Sequence, residues 1–373
     1  MNRFGFINHY LDTNLVHERF RILDLLHFSR SAIKNLIALL PPYRYMELRP
    51  VRSIFGVNAE GLGIACPLLP EHFVTLPPKV VLRKIVRAGK IAEDFGAKLV
   101  GLGGFTSVFG NEGEEVSKCL RIAVTSGNTY TAALAIQGVL AAAQAVGCRL
   151  EEASLAVIGA TGDIGSICAK VLSRRVRRVL VSARDKSRLK NLSGELQKTS
   201  SAEVYITKYT TQAVKQADIV LTATSALTTL IEPNELRPGA IVCDVSYPAN
   251  ITRDVSAHRN DILVFEGGLA TWPFYDDLKE VSKLRHFAPR GTIHGCLAET
   301  MLLALEGQFE NFSIGRGLIT EARIEQVLAL AQKHGFRLAP FHCGTMFYGD
   351  DDFKRIRKVV EARKSRQEHV VAL

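Results

Sequence analysis

One glycine-rich segment restricts what this chain can fold into. Residues 154–172 read SLAVIGATGDIGSICAKVL: an apolar run, then glycines at 159, 162 and 165, then a helical pattern. This order is typical of a buried parallel strand that turns into a helix at a phosphate site, because glycines allow close backbone approach and the helix N-terminus offers free amides. The segment predicts a dinucleotide site. A glycine turn that only packs a strand against a helix is the alternative.

Further strand-like runs follow at 178–182, 218–222, 240–245 and 262–266, with helical or loop segments between them. Alternating strands and helices predict an α/β fold of the Rossmann type, with a doubly wound parallel sheet. The candidate cofactor contacts are Gly159, Thr161, Gly162, Asp163, Ile164, Gly165, Thr222 and Ala223.

The end of the second strand bears on the choice of cofactor. An acidic residue there would bind the ribose hydroxyls of NAD, but the chain reads Ser182, Ala183, Arg184, Asp185. Arg184 and Arg188 are able to hold a 2′-phosphate between them, so the pattern favours NADP(H). In the alternative interpretation this stretch is a solvated helix start that Asp185 caps.

Composition limits the class of protein. A chain of 373 residues with 47% apolar and 23% charged residues is typical of a soluble protein of two domains. The formal charge of +10 suits nucleic acid, an anionic membrane surface or an acidic protein partner, and charge alone does not choose among them. The basic residues are scattered, and no nucleic-acid motif accompanies them.

The apolar stretches and the cysteines predict the location of the protein and the redox state of its thiols. We expect a cytoplasmic protein without a signal peptide or a membrane span, since the longest apolar stretch, 132–147, is interrupted by Gln137 and Gln144. The seven cysteines show no zinc-type spacing, so we expect reduced thiols and no metal.

The sequence divides into three predicted segments. Residues 1–150 form a substrate domain with helices at 79–95 and 129–146, and residues 151–290 form the NADP-binding domain. Residues 291–373 form a helical segment with helices near 296–308 and 319–334, which we expect to pack across the cofactor cleft. The charged tail after residue 350 is predicted to be a surface helix that frays into disorder.

Cys296 is the candidate reactive residue. It stands in TIHGCLAETMLLAL, directly after a glycine and at the start of an amphipathic helix. A helix N-terminus stabilises a thiolate, and its amides are able to stabilise an oxyanion. Glu299 either caps this helix or takes up a proton, while its charge opposes thiolate formation. The alternative is a packed core cysteine, and His294 is not automatically its base.

Two loops rich in glycine and hydroxyl groups precede predicted helices, at 103–108 (GGFTSV) and 124–131 (VTSGNTYT). We expect them to face the nicotinamide and the substrate. The candidate substrate contacts are Ser126, Asn128, Thr129 and Tyr130. Ordinary turn and capping chemistry explains the same residue types equally well.

Several motifs, in this order, resemble the cyanobacterial-type long-chain acyl-[acyl carrier protein] reductases. They are FGFINH, LGGFTS, SGNTYTA, GATGDIGS, CLAETMLL and ENFSIGR. The resemblance implies NADPH-dependent reduction of a fatty acyl thioester, carried by acyl carrier protein or coenzyme A, to an aldehyde. It also implies that Cys296 is the catalytic cysteine, which forms an acyl-enzyme. Tyr130 departs from the family pattern, where GNTHTA has His.

Two other enzyme classes and one non-catalytic class are alternatives to an acyl thioester reductase. The Rossmann half also resembles shikimate dehydrogenases and glutamyl-tRNA reductases. Shikimate dehydrogenases would have an aspartate after GNT and a lysine in the substrate domain, but here Tyr130 follows GNT and GGFTSVFGNE has no lysine. Glutamyl-tRNA reductases would have a cysteine in an SxCNR-type motif, but here Cys66 lies in ACPLLP. A non-catalytic NADP(H)-binding sensor or scaffold is the third alternative. Mass labelling of Cys296 by an acyl donor distinguishes the enzyme from the scaffold.

Overall fold

The computed structural model describes residues 1–10, 30–252, 255–280 and 288–371. The chain forms two compact units. Unit 1 comprises Met1–Tyr130, Ala270–Leu318 and Glu325–Arg337, and unit 2 comprises Thr131–Leu269, Ile319–Ile324 and Leu338–Leu373. The chain therefore passes between the units more than once. The predicted division into the segments 1–150, 151–290 and 291–373, and the packing of helices across a cleft, stay predictions.

Unit 1 is built on a five-stranded sheet. Its strands are β1 (Asn2–His9), β2 (Tyr43–Arg52), β3 (Asn58–Cys66), β4 (Leu99–Leu102) and β5 (Ala123–Thr125), in the order β2-β3-β1-β4-β5. β1 is parallel to β3 and β4, and β5 is parallel to β4, whereas β2 pairs antiparallel with β3. The carboxyl ends of β1, β3, β4 and β5 therefore meet at one edge, where parallel sheets place their sites.

Helices cover this sheet. They are α1 (Arg30–Leu39), α2 (His72–Thr75), α3 (Pro78–Asp94), α4 (Phe105–Glu112) and α5 (Glu114–Ser117). α3 begins with proline in its first turn and buries Val81, Ile85, Ala88 and Ala92 at helical spacing, so an apolar stripe packs it on the sheet. Lys84 lies on this buried side and donates to the carbonyls of Ala38 (2.6 Å) and Pro67 (2.8 Å).

α6 (Asn128–Ala145) begins in unit 1 and continues into unit 2. Unit 2 contains a six-stranded sheet of β6 (Ser154–Ile158), β7 (Arg178–Ser182), β8 (Glu203–Ile206), β9 (Ile219–Thr222), β10 (Ile241–Asp244) and β11 (Leu263–Glu266), ordered β11-β10-β9-β6-β7-β8. Every pairing in it is parallel. Its helices are α7 (Asp163–Ser173), α8 (Lys186–Thr199), α9 (Thr210–Gln216) and α10 (Val255–His258). The α/β, Rossmann-type prediction is confirmed.

The remaining elements are distributed over the two units. Strands β12 (Leu269–Thr271), β13 (Thr292–His294) and β14 (Arg337–Leu338) form a small sheet, and β15 (His342–Cys343) pairs with β16 (Met346–Phe347). The helices are α11 (Gly295–Glu306), α12 (Glu321–His334) and α13 (Asp350–Val371). α11 belongs to unit 1 and α13 to unit 2.

The charged tail forms a helix that packs on unit 2. Ile356 and Val360 of α13 are fully buried, and Arg363 forms an ion pair with Asp218 at 2.7 Å within unit 2. The segment is therefore a surface helix with one buried apolar stripe, because its apolar residues recur four apart. Fraying of its end stays a prediction. In the part of the chain that the structure describes, no helix combines the length and the apolar character needed to cross a bilayer.

Candidate active site and cofactor site

Cys296 is the second residue of α11 and is partly exposed. His294 is the N-cap residue, and its side chain does not cap the helix. The backbone N–H groups of Leu297 and Gly104 lie near enough to the sulfur to lower the pKa of the thiol. Burial nevertheless raises the pKa of the thiol to about 12, and the charge of Glu299 also raises it, so the resting group is a thiol.

Two glycine turns approach Cys296 from the carboxyl ends of β4 and β5. Gly127 has φ +74°, and a Cβ there would lie 2.2 Å from the Cα of Cys296. Gly104, at φ +57°, is the N-cap of α4. Glycine is therefore required at 127 for both conformation and space. Both loops were identifiable from the sequence, but their contact with the cysteine was not.

Glu299 lies one turn after Cys296 and is fully buried. Its Oε1 accepts hydrogen bonds from the hydroxyls of Thr125 and Ser313 (2.8 Å), and its Oε2 accepts from the N–H of Tyr130 at 2.7 Å. The N–H of Gly127 also donates to it. Burial raises the pKa of Glu299, whereas these donors lower it. Burial has the larger effect, so the pKa of Glu299 lies above its usual value. The hydrogen bonds show that Glu299 holds the turn after β5 and does not cap its own helix.

The predicted substrate residues lie in this turn and at the start of α6. Ser126 donates to the carbonyl of Ser313, and Thr129 hydrogen-bonds to the hydroxyl of Ser313 at 2.5 Å. Asn128 is buried, and burial also raises the pKa of Tyr130. These interactions hold the turn together. Contact of the four side chains with a substrate stays a prediction.

The segment 310–316 completes this part of unit 1. Phe312 pairs with Thr125 through a single parallel bridge, and Ser313 adopts φ +54°. Arg316 then forms a two-point ion pair with the buried Glu112, at 2.9 and 3.0 Å. The pair holds Ser313 where its hydroxyl reaches Glu299. The sequence motif ENFSIGR identified the segment, but its long-range partners were not predictable.

His9 is a further residue that the sequence reasoning missed. It is buried at the end of β1, where its Nε2 accepts a hydrogen bond from the N–H of Phe105 (2.9 Å) and its Nδ1 donates to the carbonyl of Tyr10 (2.7 Å). Burial lowers its pKa from 6.5 to about 4. Neutral His9 thereby fixes the start of α4, next to the Gly104 N–H that faces Cys296.

The predicted glycine turn is present in unit 2. Gly159 has φ +81°, and a Cβ there would lie 2.2 Å from the carbonyl oxygen of Ala223. A Cβ at Gly165 would lie 2.4 Å from the carbonyl oxygen of Gly159. Gly162 is the N-cap of α7 and has no side chain to occupy the helix amides. A pyrophosphate fits this helix start by the chemistry of its donors.

The other predicted cofactor residues surround the same turn. Thr161 and Ile164 are partly exposed, while Asp163 is buried in the first turn of α7. The Thr222 hydroxyl is buried and donates to Oδ1 of Asn250 at 2.8 Å, so it supports the strand end. Ala223 meets Gly159 through its carbonyl.

Arg184 and Arg188 lie just after β7. Asp185 caps α8 by accepting from the N–H of Arg188 at 3.0 Å, as the alternative interpretation predicted. Arg184 donates to the hydroxyl of Ser225 at 3.4 Å. Among the described residues neither guanidinium forms an ion pair with a carboxylate. Both charges are therefore available for an anionic group.

Comparison with known proteins identifies the family. The chain is 32% identical over 308 residues to the long-chain acyl-[acyl-carrier-protein] reductase of Synechococcus elongatus, which covers 80% of this chain and 87% of that protein. The chain belongs to the long-chain acyl-[acyl-carrier-protein] reductase family. Membership of this family supports a reductase that uses NADPH, and the turn after β6 offers the backbone donors that a dinucleotide needs.

Three further matches differ in how much of this reductase and of the matched protein they cover. The chain is 29% identical over 352 residues to aminotransferase PigE of Serratia sp., covering 91% of this chain but only 40% of that protein. A family model described as Shikimate / quinate 5-dehydrogenase matches residues 140–266, within the part that contains the Rossmann sheet. The L-tryptophan dehydrogenase of Nostoc punctiforme covers 96% of this chain and 87% of its own at 14% identity, with a TM-score of 0.37.

Proposed function

We propose that this chain reduces a long-chain fatty acyl thioester to a fatty aldehyde through an acyl-enzyme on Cys296. One observation carries the proposal: the sulfur lies at a helix start among the N–H groups of Leu297 and Gly104. Such donors stabilise both a thiolate and the oxyanion of a thioester under attack. The family supports the substrate class, since its member in Synechococcus elongatus is a long-chain acyl-[acyl-carrier-protein] reductase.

The first half of the reaction transfers the acyl group. The sulfur of Cys296 attacks the thioester carbon, the carbon–sulfur bond to the carrier breaks, and the thiol proton leaves with the carrier sulfur. The high pKa of Cys296 means that its proton moves as the new bond forms, rather than being lost beforehand. The N–H groups around the sulfur are the candidate donors to the tetrahedral oxyanion.

The second half releases the aldehyde. NADPH, when bound, supplies the hydride that the acyl carbon accepts. The resulting hemithioacetal on Cys296 then collapses, so that the carbon–sulfur bond breaks, the aldehyde leaves and the sulfur takes up a proton. Glu299 contributes by positioning: it holds the turn at Gly127, which lies against the backbone of Cys296.

The raised pKa of Cys296 also favours one alternative, a non-catalytic NADP(H)-binding protein with an inert thiol. Mass spectrometry of the intact protein separates the two. Incubation with a long-chain acyl thioester without NADPH should add one acyl mass to the parent protein and none to Cys296→Ser. Cys119→Ser, which removes an exposed cysteine, is the matched control and should still be labelled. Absence of label on the parent protein would favour the scaffold.

A further inference from the structure

The outer face of α3 has an unusual charge pattern. Lys79, Arg83, Arg87 and Lys90 are all exposed and recur at spacings of four, four and three, so they lie on one side of the helix. Among the residues that the structure describes, none of the four pairs with a carboxylate. The nearby acids Glu71 and Glu93 are already engaged by Lys34 and Arg121. We call these four residues the basic face of α3.

Other basic clusters are partly neutralised. In unit 2, Arg174 pairs with Glu321 at 2.8 Å and Arg178 pairs with Glu203 at 3.1 Å. Asp94 ends α3 on the side of the basic face but forms no ion pair with Lys90 in the described structure. Four unpaired cations on one helix face repel one another. A partner with negative charge would reduce this electrostatic repulsion.

The topology places the start of this face at the edge of the sheet where Cys296 lies. α3 follows β3, so its N-terminal end starts at the carboxyl edge of the parallel strands of unit 1. Gly104 and Gly127 follow β4 and β5 at the same edge, and both contact Cys296. α3 and the helix of Cys296 cover opposite faces of this sheet, because a Cβ at Gly5 would meet Ala92 of α3 whereas a Cβ at Gly101 would meet Thr300 of α11. The carboxyl edge of the sheet is therefore what the start of the basic face and the nucleophile have in common.

Apolar groups connect the two places. Val74 and Val80 flank the start of α3 and are 70% and 41% exposed. Phe73, next to Val74, packs against Phe105 with ring centroids 5.6 Å apart, and Phe105 directly follows Gly104. A mixed surface of cations and exposed valines suits a partner whose helix carries carboxylates around an apolar patch.

Resting on the proposed function, we propose that the basic face of α3, with Val74 and Val80, is the docking surface for an acidic acyl carrier protein. The carrier's carboxylates lie against Arg83 and Arg87, and its acyl thioester arm passes over the sheet edge to Cys296. Charge complementarity of this kind chiefly raises the association rate and is weakened by salt.

The test reverses two charges. Arg83→Glu/Arg87→Glu should lower kcat/KM for an acyl carrier protein substrate by about tenfold at low salt and flatten its salt dependence, since rim charges act mainly on association. A neutral N-acetylcysteamine thioester with the same acyl chain should react at the parent rate. Lys190→Glu/Lys198→Glu, on α8 of unit 2, is the matched control and should behave as the parent protein does. Equal loss in the control, or loss with the neutral thioester, would overturn the proposal.

Direct binding separates this proposal from the proposed function. Titration of holo-acyl carrier protein into Cys296→Ser should give salt-sensitive binding that the added Arg83→Glu/Arg87→Glu change weakens about tenfold. Unchanged binding together with active thioester reduction would refute the docking surface and leave the function intact. Loss of binding to phosphatidylglycerol vesicles, with carrier binding unchanged, would assign the face to a membrane and also refute it.

Discussion

A Cβ on Gly127 would lie 2.2 Å from the Cα of Cys296 and 2.4 Å from its Cβ. The turn after β5 is thus packed directly on the backbone of the candidate nucleophile. Glu299 ties the two together, because it belongs to the helix of Cys296 and accepts from the turn. The position of the sulfur therefore depends on Gly127, which precedes Cys296 by 169 residues in the sequence.

We expect Gly127→Ala to displace Cys296. The left-handed backbone at residue 127 costs a non-glycine residue about 1–3 kcal/mol, and the overlap forces the helix start to move. A displacement of about 1 Å reduces turnover by about 100-fold. Aldehyde formation is the measurement, and a cooperative urea unfolding transition of unit 1, which contains Gly127, shows that the variant is folded. Gly194→Ala, with no atom within 4 Å of its Cβ, is the control, and a Gly127→Ala protein with parental turnover would contradict the account.

Replacements of Glu299 should separate positioning from proton transfer. Glu299→Ala leaves buried donors without an acceptor and should destabilise the fold by about 3 kcal/mol. Glu299→Gln keeps an acceptor for the Tyr130 N–H, so we expect turnover within about tenfold of the parent. It also removes the charge that raises the pKa of Cys296, so alkylation of the thiol should shift to lower pH. A Gln variant as inactive as Cys296→Ser would instead support the proton-accepting role predicted for Glu299.

His9 should make stability depend on pH in the acid range. Its pKa is 6.5 in the unfolded chain and about 4 in the fold, so the unfolded chain binds the extra proton between these values. The stabilisation is complete above pH 6.5 and falls by about 3 kcal/mol as the pH drops towards 4. Urea unfolding from pH 7 to pH 4 should therefore show a weaker pH dependence in His9→Gln. Exposed His258→Gln is the control, and equal slopes for His9→Gln and the parent would refute the assignment.

Arg184→Ala/Arg188→Ala should weaken NADPH binding by about 10- to 100-fold and leave NADH binding nearly unchanged. The reason is that both guanidinium groups, free of carboxylates in the described structure, follow β7 where the ribose is expected. Fluorescence titration with the two cofactors measures the effect. Lys190→Ala/Lys198→Ala removes two exposed charges from α8, the helix that contains Arg188. This control should change the affinity for neither NADPH nor NADH. Equal loss for NADPH and NADH would show that the arginines do not read the phosphate.

Local pattern predicted the fold of unit 2 well. The strands predicted at 154–158 and 178–182 are β6 and β7 with the same bounds, because both are buried runs bounded by turns. In unit 1, the helix predicted at 79–95 is α3, with bounds that differ by one residue at each end. The sheet of unit 1 was not predicted, since it pairs strands that are far apart in sequence, such as β1 with β4.

The candidate site shows the same limit. Cys296 and Glu299 were identifiable because a glycine precedes the cysteine at a helix start. Ser313 and His9 were not, because their roles come from hydrogen bonds to Glu299 and Phe105 that no local spacing encodes. Motifs quoted for the resemblance contained both residues without indicating what they contact.

The most direct measurement is NADPH oxidation with a long-chain acyl thioester, carried by acyl carrier protein or coenzyme A, together with identification of the product. The parent protein should consume NADPH and form the matching fatty aldehyde. Cys296→Ser should lose the activity by at least about 1,000-fold, because the acyl-enzyme no longer forms. Aldehyde formation at the parental rate by Cys296→Ser, or no NADPH oxidation by the parent with either carrier, would contradict the account.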